Sequence, residues 1–342
     1  MPQVEISAPL SVLDGLGRPV NFGWARGEFF QYNAQLIRTP ARRLIASDRY
    51  IFFSPKNLIS IQVLDGGYLG SVGISVVSFH GKKRSTHTYL FPFSLGSLNL
   101  PDSAEGGSVK IQRKFFFLEF AVLENGVRII RADFSRFGRS RYLRGELVLT
   151  PPPGAESLVT HQPWLRDKNS FIVISRSPWY AAEGVVQLGT QELVFSQGKG
   201  WGILDWNRGS RPKIDIHWWA TGCGMAGNEQ VGFSVGYGTS DSSLGTENAF
   251  FLAGRLHKLD QVTFHINPAN WLEDWRFTSN DNRLEMTFTP SQERLERNRM
   301  LFHSLTRRQV FGSFSGRVIL DDGRKLEFRD LTGLAERRRS HN

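Results

Sequence analysis

Short apolar runs rich in β-branched and aromatic residues, separated by glycine and polar turn residues, dominate the chain. Ala121–Phe134 ("AVLENGVRIIRADF") sets Asn125-Gly126 between two such runs, a pairing that predicts a tight hairpin. Arg317–Phe328 repeats the arrangement around Asp322-Gly323, and Asn248–Ile266 turns near Ala253-Gly254. Val72–Phe79 and Phe115–Val122 read as short strands, and Val185–Trp206 as β-runs punctuated by glycine. Helical spacing is scarce. In Gln292–Ser304 the charges fit one face of a helix or the outward face of a strand equally well, and Trp271 and Trp275 ("NWLEDWR") are spaced for one face of a short helical turn. The pattern predicts an all-β chain built from two consecutive antiparallel β-barrel or half-barrel domains with few short helices. Pro151–Pro153 lack backbone donors and cannot continue a central strand, so they mark the expected junction. The expected domains are residues 1–150 and 151–342, the second carrying the candidate ligand cavity.

Composition adds three constraints. A hydrophobic content of 40% is enough for packed cores and argues against disorder. The net charge of +10 permits attraction to nucleic acid, anionic lipid or an acidic ligand, and outside Arg136–Arg144 and Arg337–Arg339 the basic residues are scattered as on a solvated face. The lone cysteine, Cys223, excludes an internal disulfide and a cysteine zinc cluster. The N-terminal segment has no basic stretch followed by a long apolar run, so no signal peptide is expected. No run approaches ~20 apolar residues, so no spanning helix is expected. The expected location is cytoplasmic, with peripheral membrane contact open.

The blocks Phe22–Tyr32 ("FGWARGEFFQY"), Gly202–Gly209 ("GILDWNRG"), His217–Ala220 ("HWWA"), Val231–Tyr237 ("VGFSVGY"), Arg255–Leu259 ("RLHKL") and Gln309–Gly316 ("QVFGSFSG") together resemble the domain of unknown function 2804 family over most of the chain. More remotely, the all-β character is similar to two-domain lipocalin-like proteins, a group that includes carotenoid hydratases, tocopherol cyclases and cofactor-free pericyclases. The second resemblance implies a barrel that holds one small apolar ligand. It does not by itself fix a reaction.

Candidate chemistry clusters between Gly202 and Asn248. Asp205-Trp206-x-Arg208 reads either as a carboxylate and a guanidinium beside an aromatic wall, or as a structural Arg–Trp stack with Asp205 as ion partner. Trp24-x-Arg26-Gly27 repeats the Trp-x-Arg-Gly of Trp206–Gly209, which suggests equivalent places for Arg26 and Arg208. Alternation on a strand puts Asp215, His217 and Trp219 on one face and Trp218 on the other. An inward His217 suits acid–base work at neutral pH, and a hydrogen-bonded barrel histidine is the plain alternative. Glu247-Asn248 ends a Gly/Ser-rich loop from Gly236 that reads as a lid over a barrel mouth. Asp205, His217 and Glu247 are therefore the candidate catalytic residues. Trp24, Arg26, Trp206, Arg208, Trp218, Trp219, Tyr237, Asn248 and Trp275 are the candidate ligand contacts. The eight histidines form no metal motif, no nucleotide or serine-hydrolase motif is found, and no cofactor is expected.

Three functions compete. The first is binding of an apolar, lipid- or isoprenoid-like molecule with cofactor-free hydration, isomerisation or cyclisation. The second is a non-catalytic carrier or sensor docking on anionic membranes. The third is an aromatic–basic glycan or nucleic-acid module. No specific nucleic acid is expected, because the tryptophans neighbour glycine, acids or histidine more than lysine or arginine.

Overall fold

The computed structural model describes residues 3–79, 84–138, 141–300 and 303–341. Strands take up 65% of the chain and helix 2%, so the fold is all-β, with two curled antiparallel half-barrel sheets as in lipocalin-like domains. The chain forms two compact units. One comprises Met1–Gln31, Gly154–Trp179 and Ser210–Asn342, the other Tyr32–Pro153 and Tyr180–Gly209. Pro153 to Gly154, directly after the proline run, is one of the points where the chain passes between them.

The unit containing Ser210–Asn342 is built on a nine-stranded antiparallel sheet. Its strand order is Arg255–Lys258, Ala249–Leu252, Glu229–Gly238, Ile214–Ala226, Lys325–His341, His303–Ile319, Leu284–Met300, Trp275–Ser279 and Val262–His265. The sheet curls until Tyr237 and Phe264, on strands far apart in that order, bring their rings within 5.2 Å. The concave side is filled. Phe233, Phe250, Trp275, Phe277, Phe288 and Phe314 belong to one buried cluster, and Phe288 and Phe314 stack at 4.3 Å. A second layer in the same unit pairs Gly23–Ala25 with Leu158–Trp164, which pairs in turn with the first part of the Asp167–Leu188 strand. It carries His161, buried among the rings of Phe22, Phe30 and Phe171. Burial there pushes the His161 imidazole down to about 4, against a weaker opposing contact with the Asn21 carbonyl, so this histidine is a neutral core residue.

The other unit carries the strand order Arg84–Pro92, Leu69–Ser78, Asn57–Asp65, Leu44–Phe53, Trp201–Ser210, the later part of Asp167–Leu188, Arg141–Thr150, Arg128–Phe137, Phe116–Val122 and Ser108–Arg113. It curls as well. Tyr89, on the first of these strands, packs at 4.4 Å on Phe116 and at 5.7 Å on Phe134.

The predicted hairpins are present. Asn125-Gly126 joins Phe116–Val122 to Arg128–Phe137, with Gly126 at φ 77°. Ala253 and Gly254 both take positive φ, 46° and 82°, as a two-residue hairpin turn requires. Asp322-Gly323 links His303–Ile319 to Lys325–His341. Gln292–Met300 is strand, not helix: its residues alternate between the two sheet faces, and residues 301–302 lie outside the described set. The Trp271–Asp274 segment is a turn leading into a strand, and Trp275 is fully buried in the core. Within the basic Arg136–Arg144 stretch, Arg139 and Ser140 lie outside the described residues.

One strand lets the layers meet. In Glu229–Gly238 the core-facing positions are Val231, Phe233 and Val235, while Gly232, Ser234, Gly236 and Gly238 occupy the opposite face. A Cβ at Gly232 would stand 1.8 Å from the Pro178 carbonyl oxygen, and one at Gly236 2.8 Å from that of Trp218. Gly232→Ala is therefore expected to lower the urea-unfolding stability by about 3 kcal/mol. Gly73→Ala, where the nearest atom is an ordinary 3.7 Å away, should change it by less than about 1 kcal/mol.

Candidate active site

The outer face of the Ile214–Ala226 strand presents Asp215, His217 and Trp219 together, as alternation requires. Opposite them stands Glu247, buried in the segment that leads into Ala249–Leu252. Its Oε2 lies 3.0 Å and its Oε1 3.2 Å from His217 Nε2. Arg176 Nη2 is 3.7 Å from Oε2, and its guanidinium lies 4.7 Å from the centre of the Trp219 ring. Trp219 is itself fixed by its indole N–H, which donates to Ser234 Oγ at 2.9 Å. Burial pushes the Glu247 carboxyl up, but the His217 contact, Arg176 and Arg338 together outweigh it and hold the group below its usual value. The site thus contains a buried carboxylate that stays ionised.

Several contacts hold that carboxylate in place. Asn248 Oδ1 accepts from the Gly236 N–H at 2.7 Å, and its Nδ2 donates to the Asp260 carbonyl. Lys258 Nζ donates to Thr246 Oγ1, to the Asn248 carbonyl at 3.1 Å and to the Leu259 carbonyl at 2.8 Å. Burial drives this ammonium down to about 7, with Asp260, Asp281 and Glu247 opposing the shift. The Gly/Ser-rich loop is tied along its length. Asp241 N donates to Pro163 O, Val4 N to Leu244 O, and Gln162 Nε2 to Gly245 O. It is a fastened segment that presents Glu247, not the loose lid that its composition suggests. Beside His217, Asp215 accepts from Arg338 Nη2 at 2.6 Å and from Thr239 Oγ1 at 2.9 Å.

Asp205, Trp206 and Arg208 belong to the other unit. On the Trp201–Ser210 strand, Asp205 and Arg208 point to opposite faces, so the expected ion pair between them is replaced. Arg208 stacks on Trp206, its guanidinium 4.4 Å from the ring centre, and its Nη1 lies 2.8 Å from Asp48 Oδ1. Its remaining donors go to the carbonyls of Pro101, Ser47 and Asn207. Asp205 instead accepts from Asn207 Nδ2 and sits 4.0 Å from Arg49. Arg26 repeats the local stack, 5.4 Å over Trp24, and binds Glu5, Glu156 and the Leu256 carbonyl. Both arginines are fastened into the framework by carboxylates and carbonyls. Trp218 and Tyr237 lie on the core-side face of the nine-stranded sheet, stacked at 6.2 Å.

Of the three candidate catalytic residues, His217 and Glu247 are brought into contact, and Asp205 lies in the other unit. Arg176, the third member of the cluster, was not among the candidates. It is remote in sequence, and its neighbourhood reads only as a buried β-run. Among the described residues, no group of three or more His, Cys, Asp or Glu is placed to hold a metal ion. Nor, among the described residues, is any helix long and apolar enough to cross a membrane.

The family model described as Domain of unknown function (DUF2804) matches residues 3–341, and the chain belongs to that family. No curated protein matches the sequence. Among solved structures, the crystal structure of CghA with Sch210972 is similar at 10% identity and a TM-score of 0.53, covering 87% of this chain and 88% of that one. Kievitone hydratase from Nectria haematococca is similar at 10% identity and a TM-score of 0.49, covering 85% and 88%. The first likeness establishes the two-domain lipocalin-like fold.

Two measurements probe the buried charges of the two units. Glu247 titrates lower in the folded than in the unfolded chain, so its contribution is complete above its usual value of 4.5 and is lost as pH falls through the lower folded value. Glu247→Gln is expected to cost about 3 kcal/mol at neutral pH. In urea titrations the gap between the two proteins should close as pH drops below 4.5. Asp48→Asn, which strands the buried Arg208 cation, is expected to cost about 3–5 kcal/mol, and more than Asp205→Asn.

Proposed function

We propose that this member of the family binds an apolar small molecule and carries out cofactor-free acid–base chemistry on it, with His217 as the proton-transferring group. The observation that carries the reading is the buried Glu247 carboxyl 3.0 Å from His217 Nε2, held below its usual value by His217, Arg176 and Arg338 against the cost of burial. A carboxylate there accepts the Nε2–H, fixes the tautomer and directs the Nδ1 lone pair away from itself. His217 is the more accessible partner, with 12% of its side chain exposed against 2% for Glu247. It is therefore the group able to meet a ligand, and Glu247 and Arg176 are positioning residues. Isomerisation needs a proton taken from one carbon and returned to another. Hydration needs a water deprotonated as it adds and a proton delivered to the neighbouring carbon. One imidazole held by a carboxylate serves either role. A protein of the same fold has been solved with a compound, Sch210972, which supports ligand binding by this fold.

The filled concave side of the nine-stranded sheet directs the reading to the outer, polar face of that sheet. Trp219, Asp215 and Arg338 border His217 there.

The test starts from an organic extract of the purified protein, analysed by mass spectrometry for a retained apolar compound. That compound is then incubated with the protein in deuterated water. The wild type should place deuterium in it, His217→Gln should slow uptake about 10²–10⁴-fold, and Glu247→Gln should shift the pH profile of uptake. A retained compound that takes up no deuterium would leave a carrier. Recovery of no apolar compound at all would sink the binding reading too.

A further inference from the structure

Past the packed core, the core-side face of the nine-stranded sheet continues into solvent with a different character. Register places Trp218, Arg337, Arg308 and Leu295 in one row across the strands. The next row outward holds Ile216, Arg339, Thr306 and Arg297, and the one after it Ile214, His341, Ser304 and Arg299. These rows contain five arginines, three aliphatic residues, Trp218, His341, Thr306 and Ser304, and no carboxylate. Glu336 and Glu296 project from the opposite face. The acids nearest the surface are engaged or peripheral. Glu293 lies 3.6 Å from Arg308, Glu273 is held by Asn267 and Asn270, and Asp274 is exposed in the adjoining turn.

Aromatic rings edge this surface. Trp218 and Trp271 stack at 5.6 Å with an interplanar angle of 5°. Arg308 covers Trp271 at 4.6 Å and Arg337 lies 5.3 Å from the Trp218 ring centre. Tyr237, Leu272 and Leu295 are 40%, 45% and 38% exposed.

We propose that this end of the nine-stranded sheet docks on an anionic lipid bilayer. Arg297, Arg299 and Arg339, exposed and with no carboxylate in these rows, meet the headgroup charge, and the tryptophan, tyrosine and leucine side chains that edge the same face suit the boundary between headgroups and acyl chains. Single-stranded nucleic acid is the competing polyanion and fits less well. Base stacking needs open ring faces. Trp218 and Trp271 already cover one another, and arginines lie over both rings. Exposed leucines add nothing to phosphate binding and are what a bilayer boundary takes. The surface lies on the sheet face opposite His217, so the proposal does not rest on the acid–base reading.

The test is co-sedimentation of the full chain with phosphatidylcholine vesicles containing or lacking phosphatidylserine, at low and high salt. Binding should require phosphatidylserine and weaken with salt. The double variant Arg297→Gln/Arg299→Gln, at two exposed positions, should bind roughly twentyfold more weakly. Leu272→Ser/Leu295→Ser should also bind more weakly, while the melting temperatures of both variants stay near wild type. Equal affinity for neutral and anionic vesicles, no vesicle binding, or binding to a polyuridine strand in preference to vesicles would each overturn the proposal. Vesicle binding untouched by all four substitutions would overturn its placement on this face.

Discussion

A buried negative charge organises the unit built on the nine-stranded sheet. Glu247 has almost no contact with solvent, and an uncompensated carboxylate there would cost several kcal/mol. Compensation comes from His217 on one strand and Arg176 on another, with Arg338 adding to the field. Each supplier must then be held. Trp219 carries Arg176 on its ring, Asp215 holds Arg338, and the Asn248 and Lys258 side chains fasten the segment that bears the charge. Glycines on alternate positions of Glu229–Gly238 let the two layers close over these groups. Even Gly238 takes part, since a Cβ there would stand 3.1 Å from the His217 ring.

Much of the fold was legible because its signals are local. Asn-Gly, Ala-Gly and Asp-Gly turns demand positive φ, and the chain turns at all three. The face shared by Asp215, His217 and Trp219 was legible for the same reason, since alternation needs no knowledge of partners. Gln292–Met300 was ambiguous because it extends beyond the core. Its charged residues occupy both faces, so no apolar period marks it as strand.

The site was legible in part. His217 and Glu247 were recognisable as types, but their contact joins residues thirty positions apart, through a loop whose path depends on long-range hydrogen bonds. Asp205 drew attention by standing three residues before Arg208. On a strand that spacing separates the two side chains, and Arg208 finds Asp48 instead. By residue type Trp275 suits a ligand contact or packing against the barrel, and it packs in the core. Tryptophan serves either purpose, and only its neighbours decide. Gly232, Ser234, Gly236 and Gly238 keep one strand face bare, which indicates a close second layer and where buried polar groups meet.

The two faces of the nine-stranded sheet carry opposite solutions to the same excess of positive charge. On the outer face Arg338 is paired with Asp215 and Arg294 with Glu296, and Arg176, from the layer packed against that face, is paired with Glu247. Those pairs are largely buried, where an unpaired cation would be costly, so pairing follows from burial. On the core-side face the interior tolerates almost no charge and is filled by rings. Once that face leaves the core, solvent removes the penalty, and Arg297, Arg299 and Arg339 stand exposed. The net charge of +10 is therefore not an even coat. Where the sheet is covered the arginines answer acids within the fold, and where it is bare they leave a field that a partner outside the chain can answer.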